Sequence, residues 1–198
     1  KRPSTYKHTV SFSTGTFYKL ASMDVVSSVA GDSYQHVVGD EVKYLDKKKL
    51  DKLLPAKRGE RLSFEHSPYY LGTTFTTDMP NELMGSEYGW ILDMENNMDV
   101  EQIKIILYAS LTVNDIKLAM TKAFIKKDAN EFAKQKRNYE RWNQRLYKAR
   151  FNSTLFHVVS SFANADILTV DWFRDQLALY GIDGFKTAIL SLKHELNS

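Results

Sequence analysis

The sequence predicts an α+β protein: a β-rich N-terminal half of strands and turns with one short helix, and an all-helical C-terminal half of about five helices. Two observations carry this. All four prolines (3, 55, 68 and 80) and seven of the nine glycines precede residue 90, whereas residues 90–180 contain neither. Such punctuation belongs to strands and turns, and its absence over so long a run belongs to helices. Across the same boundary, short period-2 bursts of apolar residues give way to helical spacing. The change falls in GWILDMENNMD, which gives a β-rich region at 1–96 and a helical region at 97–198, together within the size of one composite domain.

In the first half, HTVSFSTGTFYKLASMDVV puts Val10 and Phe12 on one face, with Phe17, Tyr18 and Leu20 beyond a Ser-Thr-Gly break. RLSFEHSPYYLGTTFTT repeats the pattern around Leu62, Phe64 and Phe75. Both stretches read as short strands. KYLDKKKLDKLLP sets Leu50, Leu53 and Leu54 at helical spacing and stops at Pro55, which makes it the one helix of this half.

In the second half, Asp99 caps a helix with Val100, Ile103, Ile106 and Leu107 on its buried face, and Gln102 completes a capping box. Asn114 is read as the cap of the next, with Ile116, Met120, Ala123 and Phe124 inward. A long helix spans Ala129 to Arg150, and after Asn152-Ser153 a short one carries Leu155, Val158, Val159 and Phe162. Thr169 opens a helix that Gly181 closes, and Asp183 opens the last, with Phe185, Ile189 and Leu192 inward.

Composition excludes several classes. Apolar residues at 43% and aromatics at 13% suffice for a packed core, so wholesale disorder is not expected. With no cysteine, disulfide scaffolds, thiolate metal sites and cysteine nucleophiles are ruled out together. The longest strongly apolar stretch, IKIILYASLTV at 103–113, is too short to span a membrane and contains Lys104. The basic N-terminal residues have no apolar run behind them, so no signal peptide is read there and a soluble protein is expected.

One stretch spells a catalytic signal. In AGDSYQHVVGDEVKYL, Asp32 precedes Glu41-Val42-Lys43, and an acid followed by Glu-x-Lys is how many nucleases hold Mg²⁺ beside a polarising lysine. That chemistry places Glu-x-Lys on a buried strand with a further carboxylate upstream. Here Gly39-Asp40 immediately precedes Glu41, which suits a turn, and only Asp24 stands upstream. A solvated turn without metal is the expectation, and a Mg²⁺ nuclease using Asp32, Glu41 and Lys43 is the enzyme alternative. The five histidines (8, 36, 66, 157 and 194) show no ligand spacing, and His157 is read as a half-buried residue between apolar neighbours on a helix. No catalytic residue, cofactor or metal is assigned.

The strongest physical signal is charge. Lys127, Lys134, Arg137, Arg141, Arg145 and Lys148 recur at intervals that trace one stripe along a helix, while Phe132, Tyr139, Trp142, Leu146 and Ala149 form a second stripe suited to the core. Residues 117–150 hold eleven Lys/Arg against three Asp/Glu, and the remainder of the chain is net acidic. Like charges at i,i+4 repel, so an unalternated stripe is suited to a polyanion. Single-stranded nucleic acid is the expected partner, with Tyr147 and Phe151 flanking the stripe as stacking platforms; an acidic protein is the other candidate.

Three short motifs carry a resemblance. GDSYQH (31–36), preceded by a strand-like segment from Gly15 through Leu20 and Val25, resembles the N-terminal region of microvirus (gokushovirus-like) major capsid proteins, where a Gly-Asp-Ser/Thr-aromatic turn follows the first jelly-roll strand. RLSFEHSPYYLG is similar to a strand that ends in a Pro-containing turn there, and DWFRDQ (171–176) is similar to a Trp-Phe-Arg-Asp-Gln motif. The matches cover about forty residues; the helical stretch 98–165 has no counterpart, and the second half of a jelly roll is missing. The resemblance implies a non-enzymatic viral structural subunit, in the virion or host cytoplasm, that associates with itself or with partner subunits. It also makes Gly31-Asp32 a strand-end turn and Glu41 and Lys43 surface charges. A phage-type accessory protein of replication or transcription, binding nucleic acid without a capsid role, is the alternative.

Overall fold

The computed structural model describes residues 7–22, 33–59, 61–65, 67–81 and 85–193. The architecture is α+β, with short strands in the N-terminal half and helices in the C-terminal half. The chain divides into two compact units, one formed by the described residues up to Ile91 together with those from Val158 onward, the other by Leu92–His157. Beside the sequence boundary at 96/97, the first division falls inside a nine-residue 3-10 helix, Gly89–Asn97.

In the first unit, β1 (Thr9–Ser11) and β2 (Phe17–Lys19) form an antiparallel hairpin in the register Val10↔Tyr18. β3 (His36–Gly39) pairs in parallel with β4 (Gly72–Phe75). The crossover between them holds α1 (Lys47–Leu53), capped by Asp46, and the single turn α2 (Arg61–Phe64). Leu62 and Phe64 therefore sit on a helical turn and not on the strand that their alternation suggested. An i,i+4 pair between Arg61 and Glu65 at 2.8 Å supports that turn.

His36 fixes the parallel pair. Its Nδ1 donates to the Tyr69 carbonyl at 2.8 Å, so in the neutral ring Nε2 accepts from the Thr74 hydroxyl at 2.9 Å. Gly72 makes room for the ring, because a Cβ there would lie 2.6 Å from it.

The later part of this unit contains α5 (Val170–Ala188), capped by Thr169 and broken at Gly181, whose φ of 66° no helical residue adopts. The break lies where the sequence ended one helix and began another. Phe162 stacks on Phe173 at 4.4 Å. Residues 155–160 form no helix, and Leu155, Val158 and Val159 are exposed. Val158 and Val159 are β-branched, and the backbone finds partners elsewhere: Ser161 N–H donates to the Ile189 carbonyl and the Ser191 hydroxyl to the Val159 carbonyl. His157 is accordingly exposed and off any helix.

The second unit is a helical hairpin of α3 (Val100–Ile125) and α4 (Ala129–Arg150). The two helices expected either side of Asn114 are one, with Asn114 in the interior. With no Gly or Pro to stop it, propagation continues at one bond per residue, and the modest penalty for Asn is offset because Val113 packs on α4. Ala109, Val113 and Leu146 are buried together against Ile106, Tyr139 and Trp142, and Tyr108 meets Trp142 edge-on at 5.8 Å.

Both ends of the hairpin are tied. At the loop, Asp128 N–H donates to the Ala123 carbonyl and Lys127 N–H to that of Phe124, a Schellman closure. At the open end, Gln102 does not close a capping box on Asp99. Its amide donates to the Ala149 and Phe151 carbonyls at 2.9 and 3.1 Å, supplying the orphan acceptors at the end of α4. Val100, Leu107 and Phe124, assigned inward from the sequence, are exposed: a single helix turns only one face to α4.

Replacing Leu146 by Ala empties part of this core and should cost about 2–5 kcal/mol in urea unfolding. Leu155, 71% exposed, should tolerate Ala within about 0.5 kcal/mol. Equal losses at the two positions would refute this assignment of the core.

Candidate nucleic-acid interface

α4 begins at Asp128, whose carboxylate accepts from Glu131 N–H, and ends with Lys148 and Arg150 in its last turn. Acids at the start and cations at the end both suit the helix dipole. Turning the Tyr139, Trp142 and Leu146 face onto α3 directs the opposite side outward. Lys134, Arg137, Arg141, Arg145 and Lys148 are all exposed and fall within an arc of about 80° at 100° per residue, along roughly 21 Å of axis.

Within that face, Lys134 pairs with Glu131 at 3.3 Å. Arg141 donates to the Asn138 side-chain oxygen at 3.2 Å, and the Arg145 guanidinium lies over the Trp142 ring at 4.7 Å. Arg137 and Lys148 have no ion-pair partner among the described residues. Glu140, the other acid on the outer surface of α4, sits about 100° from the centre of the stripe. Glu131 is held below the usual carboxylate range, first by the Gln135 amide and then by Lys134, against a small desolvation.

Lys127 is not on the helix. It occupies the left-handed C′ position of the loop with φ 57°, a place usually taken by glycine. Tyr147, 41% exposed, projects about 120° round the helix from the stripe's centre. Phe151 follows the helix in an extended conformation, 70% exposed. The structure thus brings five of the six cations together and sets Tyr147 on another face.

The Glu41-Val42-Lys43 stretch is a turn. β3 ends at Gly39, Glu41 is exposed at φ 51°, and a 3-10 turn spans Val42–Tyr44. Asp24, Gly31 and Asp32 lie outside the described residues. Lys43 is not a surface charge: it is 8% exposed, with its ammonium 3.4 Å from Glu87 and 3.8 Å from Asp78. The reason is local. Val42, wholly buried, anchors the turn, while the Lys43 carbonyl accepts from Tyr88 N–H, so that Asp78, Glu87 and Tyr88 lie against it. A sequence scan has no signal for this, because the acids lie 35 and 44 positions away. Among the described residues no three His, Asp or Glu side chains are grouped to hold a metal ion, and no helix is long and apolar enough to cross a membrane.

Comparison with family models, with curated proteins and with solved structures yields no match to the chain.

Two predictions follow from the local geometry. Lys127→Gly should stabilise the protein by about 0.5–1 kcal/mol, since a lysine in the left-handed region is strained and glycine is not; a loss in thermal unfolding would contradict the Schellman assignment. Burial pushes the Lys43 ammonium down, but attraction and hydrogen bonding from Glu87, with Tyr44 and Asp78 behind it, leave it above the ordinary 10.5. A raised pKa in a base means stabilisation that is complete below 10.5 and lost as pH climbs through the folded value. Glu87→Gln should therefore destabilise by about 1–3 kcal/mol at pH 7, and the gap from wild type should close in strongly alkaline urea titrations.

Proposed function

We propose that this chain is a non-enzymatic, capsid-type viral subunit that contacts single-stranded nucleic acid through the basic face of α4. The observation that supports the contact is the exposed array of Lys134, Arg137, Arg141, Arg145 and Lys148, in which one carboxylate, Glu131, answers five cations. Stability does not call for such an array, since neighbours at i,i+4 repel one another. A phosphate chain offsets that repulsion at every position. Arg145 over Trp142 adds a rigid guanidinium plane beside the stripe, and Phe151 supplies an exposed ring at its end.

The capsid-type setting rests on the three short motifs alone. A second reading, an accessory nucleic-acid-binding protein of phage replication or transcription, has an observation of its own. The described residues hold four strands in two separate two-stranded sheets, whereas a jelly roll uses eight. Both readings use the same face of α4, and assembly into particles separates them.

Affinity for a single-stranded oligonucleotide, measured by fluorescence anisotropy, should fall steeply with salt, by about 0.7 log units per contact per decade. Arg141→Ala with Arg145→Ala should weaken binding to all sequences alike and flatten that slope by about one to two units. A double variant that binds like the wild type would reduce the stripe to a solvated face.

A further inference from the structure

α3 carries a second apolar face, about 155° round from the Ala109 and Val113 face that meets α4. Val100, Leu107, Leu111, Leu118 and Ile125 lie on it, each between 52% and 72% exposed. With Lys104, Asn114 and Thr121 in the intervening places, the row advances in alternating steps of four and three, the seam of a coiled coil.

The register of that seam selects its occupant. Set antiparallel against itself, α3 places Val100 opposite the second copy's Ile125 and Leu107 opposite its Leu118, with Leu111 opposite Asn114 and Lys104 opposite Thr121. The flanking positions agree. Glu101, which pairs with Lys104 of its own helix at 2.7 Å, then also faces Lys122 of the other copy, twice by symmetry, and Ile103 faces Phe124. A parallel pairing in register instead confronts Lys117 with Lys122, a like-charge contact that opposes association, and sets Lys104 against Lys104, each with its own Glu101 at 2.7 Å.

We propose that α3 is a self-association surface that pairs with α3 of a second copy of this chain in an antiparallel coiled coil. The proposal names the surface and orientation for self-association. It stands on the pattern of α3, not on the nucleic-acid reading of α4, so each can fail without the other.

The test uses the full chain without nucleic acid. Light scattering should show a dimer that dissociates on dilution. Leu111→Glu with Leu118→Glu should raise its dissociation constant by at least about tenfold while circular dichroism keeps its helix content, since both side chains are exposed. The chain has no cysteine of its own, so exposed Lys104→Cys and Thr121→Cys report orientation cleanly. Mixed and oxidised, the two single variants should form a disulfide-linked dimer, and neither should do so alone. Glu101→Lys and Lys122→Glu should each weaken the dimer, and both together in one chain should restore it. A monomer at all concentrations, an assembly that survives the double glutamate variant, or self-crosslinking of Lys104→Cys alone would overturn the proposal.

Discussion

The contact between α3 and α4 orients everything that the second unit can offer. A helix has one circumference, and the residues turned inward decide which are left outside. Ala109 and Val113 are small enough for α4 to approach, and Leu146 fills the space between them with Trp142 and Tyr139 at the margins. Once α4 is held by that face, the five cations of its stripe point outward together. Once α3 is held by Ala109, Val113 and Ala123, Leu111 and Leu118 are left exposed. The basic face and the apolar seam are two consequences of one packing choice, and Gln102 at one end and the Lys127 turn at the other keep the hairpin from sliding out of it.

Lys43 and the cations of α4 stand in opposite environments. Lys43 is enclosed, faces Glu87 and Asp78, and is structural: removing its partner strands a buried ammonium, at a cost of order 1–3 kcal/mol. The cations of α4 are open to water. The Lys134–Glu131 pair is open to solvent and contributes little, and like-charge neighbours oppose it. The sum is near zero or unfavourable, so folding does not account for five cations in one row. Arg145 is the exception, because its contact with Trp142 ties one of the five to the core as well.

Sequence legibility followed the range of the interaction. The bounds of α4, the caps at Asp99 and Thr169, and the break at Gly181 all arise from neighbours within four residues, and all could be read. Asn114 misled because a good N-cap residue is also tolerated inside a helix when packing supplies the rest. Leu62 and Phe64 alternate like a strand, yet the i,i+4 pair Arg61–Glu65 favours a helical turn. Lys43 misled because its acids are distant in sequence. For the candidate interface, spacing supplied the shared face of Lys134 to Lys148 and wrongly included Lys127, whose seven-residue interval fits the helical period but falls beyond the helix start.

The exposed apolar seam has to be weighed against how little else the chain buries. Among the described residues only eight apolar side chains are buried, three of them at the centre of the hairpin. The sheets have two strands each, of three or four residues, and such sheets are marginal in isolation. A row of five exposed apolar side chains along one face of a well-formed 26-residue helix is therefore out of proportion to the surface it occupies. Its composition argues against a general hydrophobic remnant. Asn114 lies in the middle of the row and Lys104 and Thr121 toward its ends, positions that cost affinity but restrict which pairings are tolerated, as polar seam residues do in coiled coils. A surface retained merely by default has no reason to set Glu101 and Lys122 where reversal of the helix brings them together.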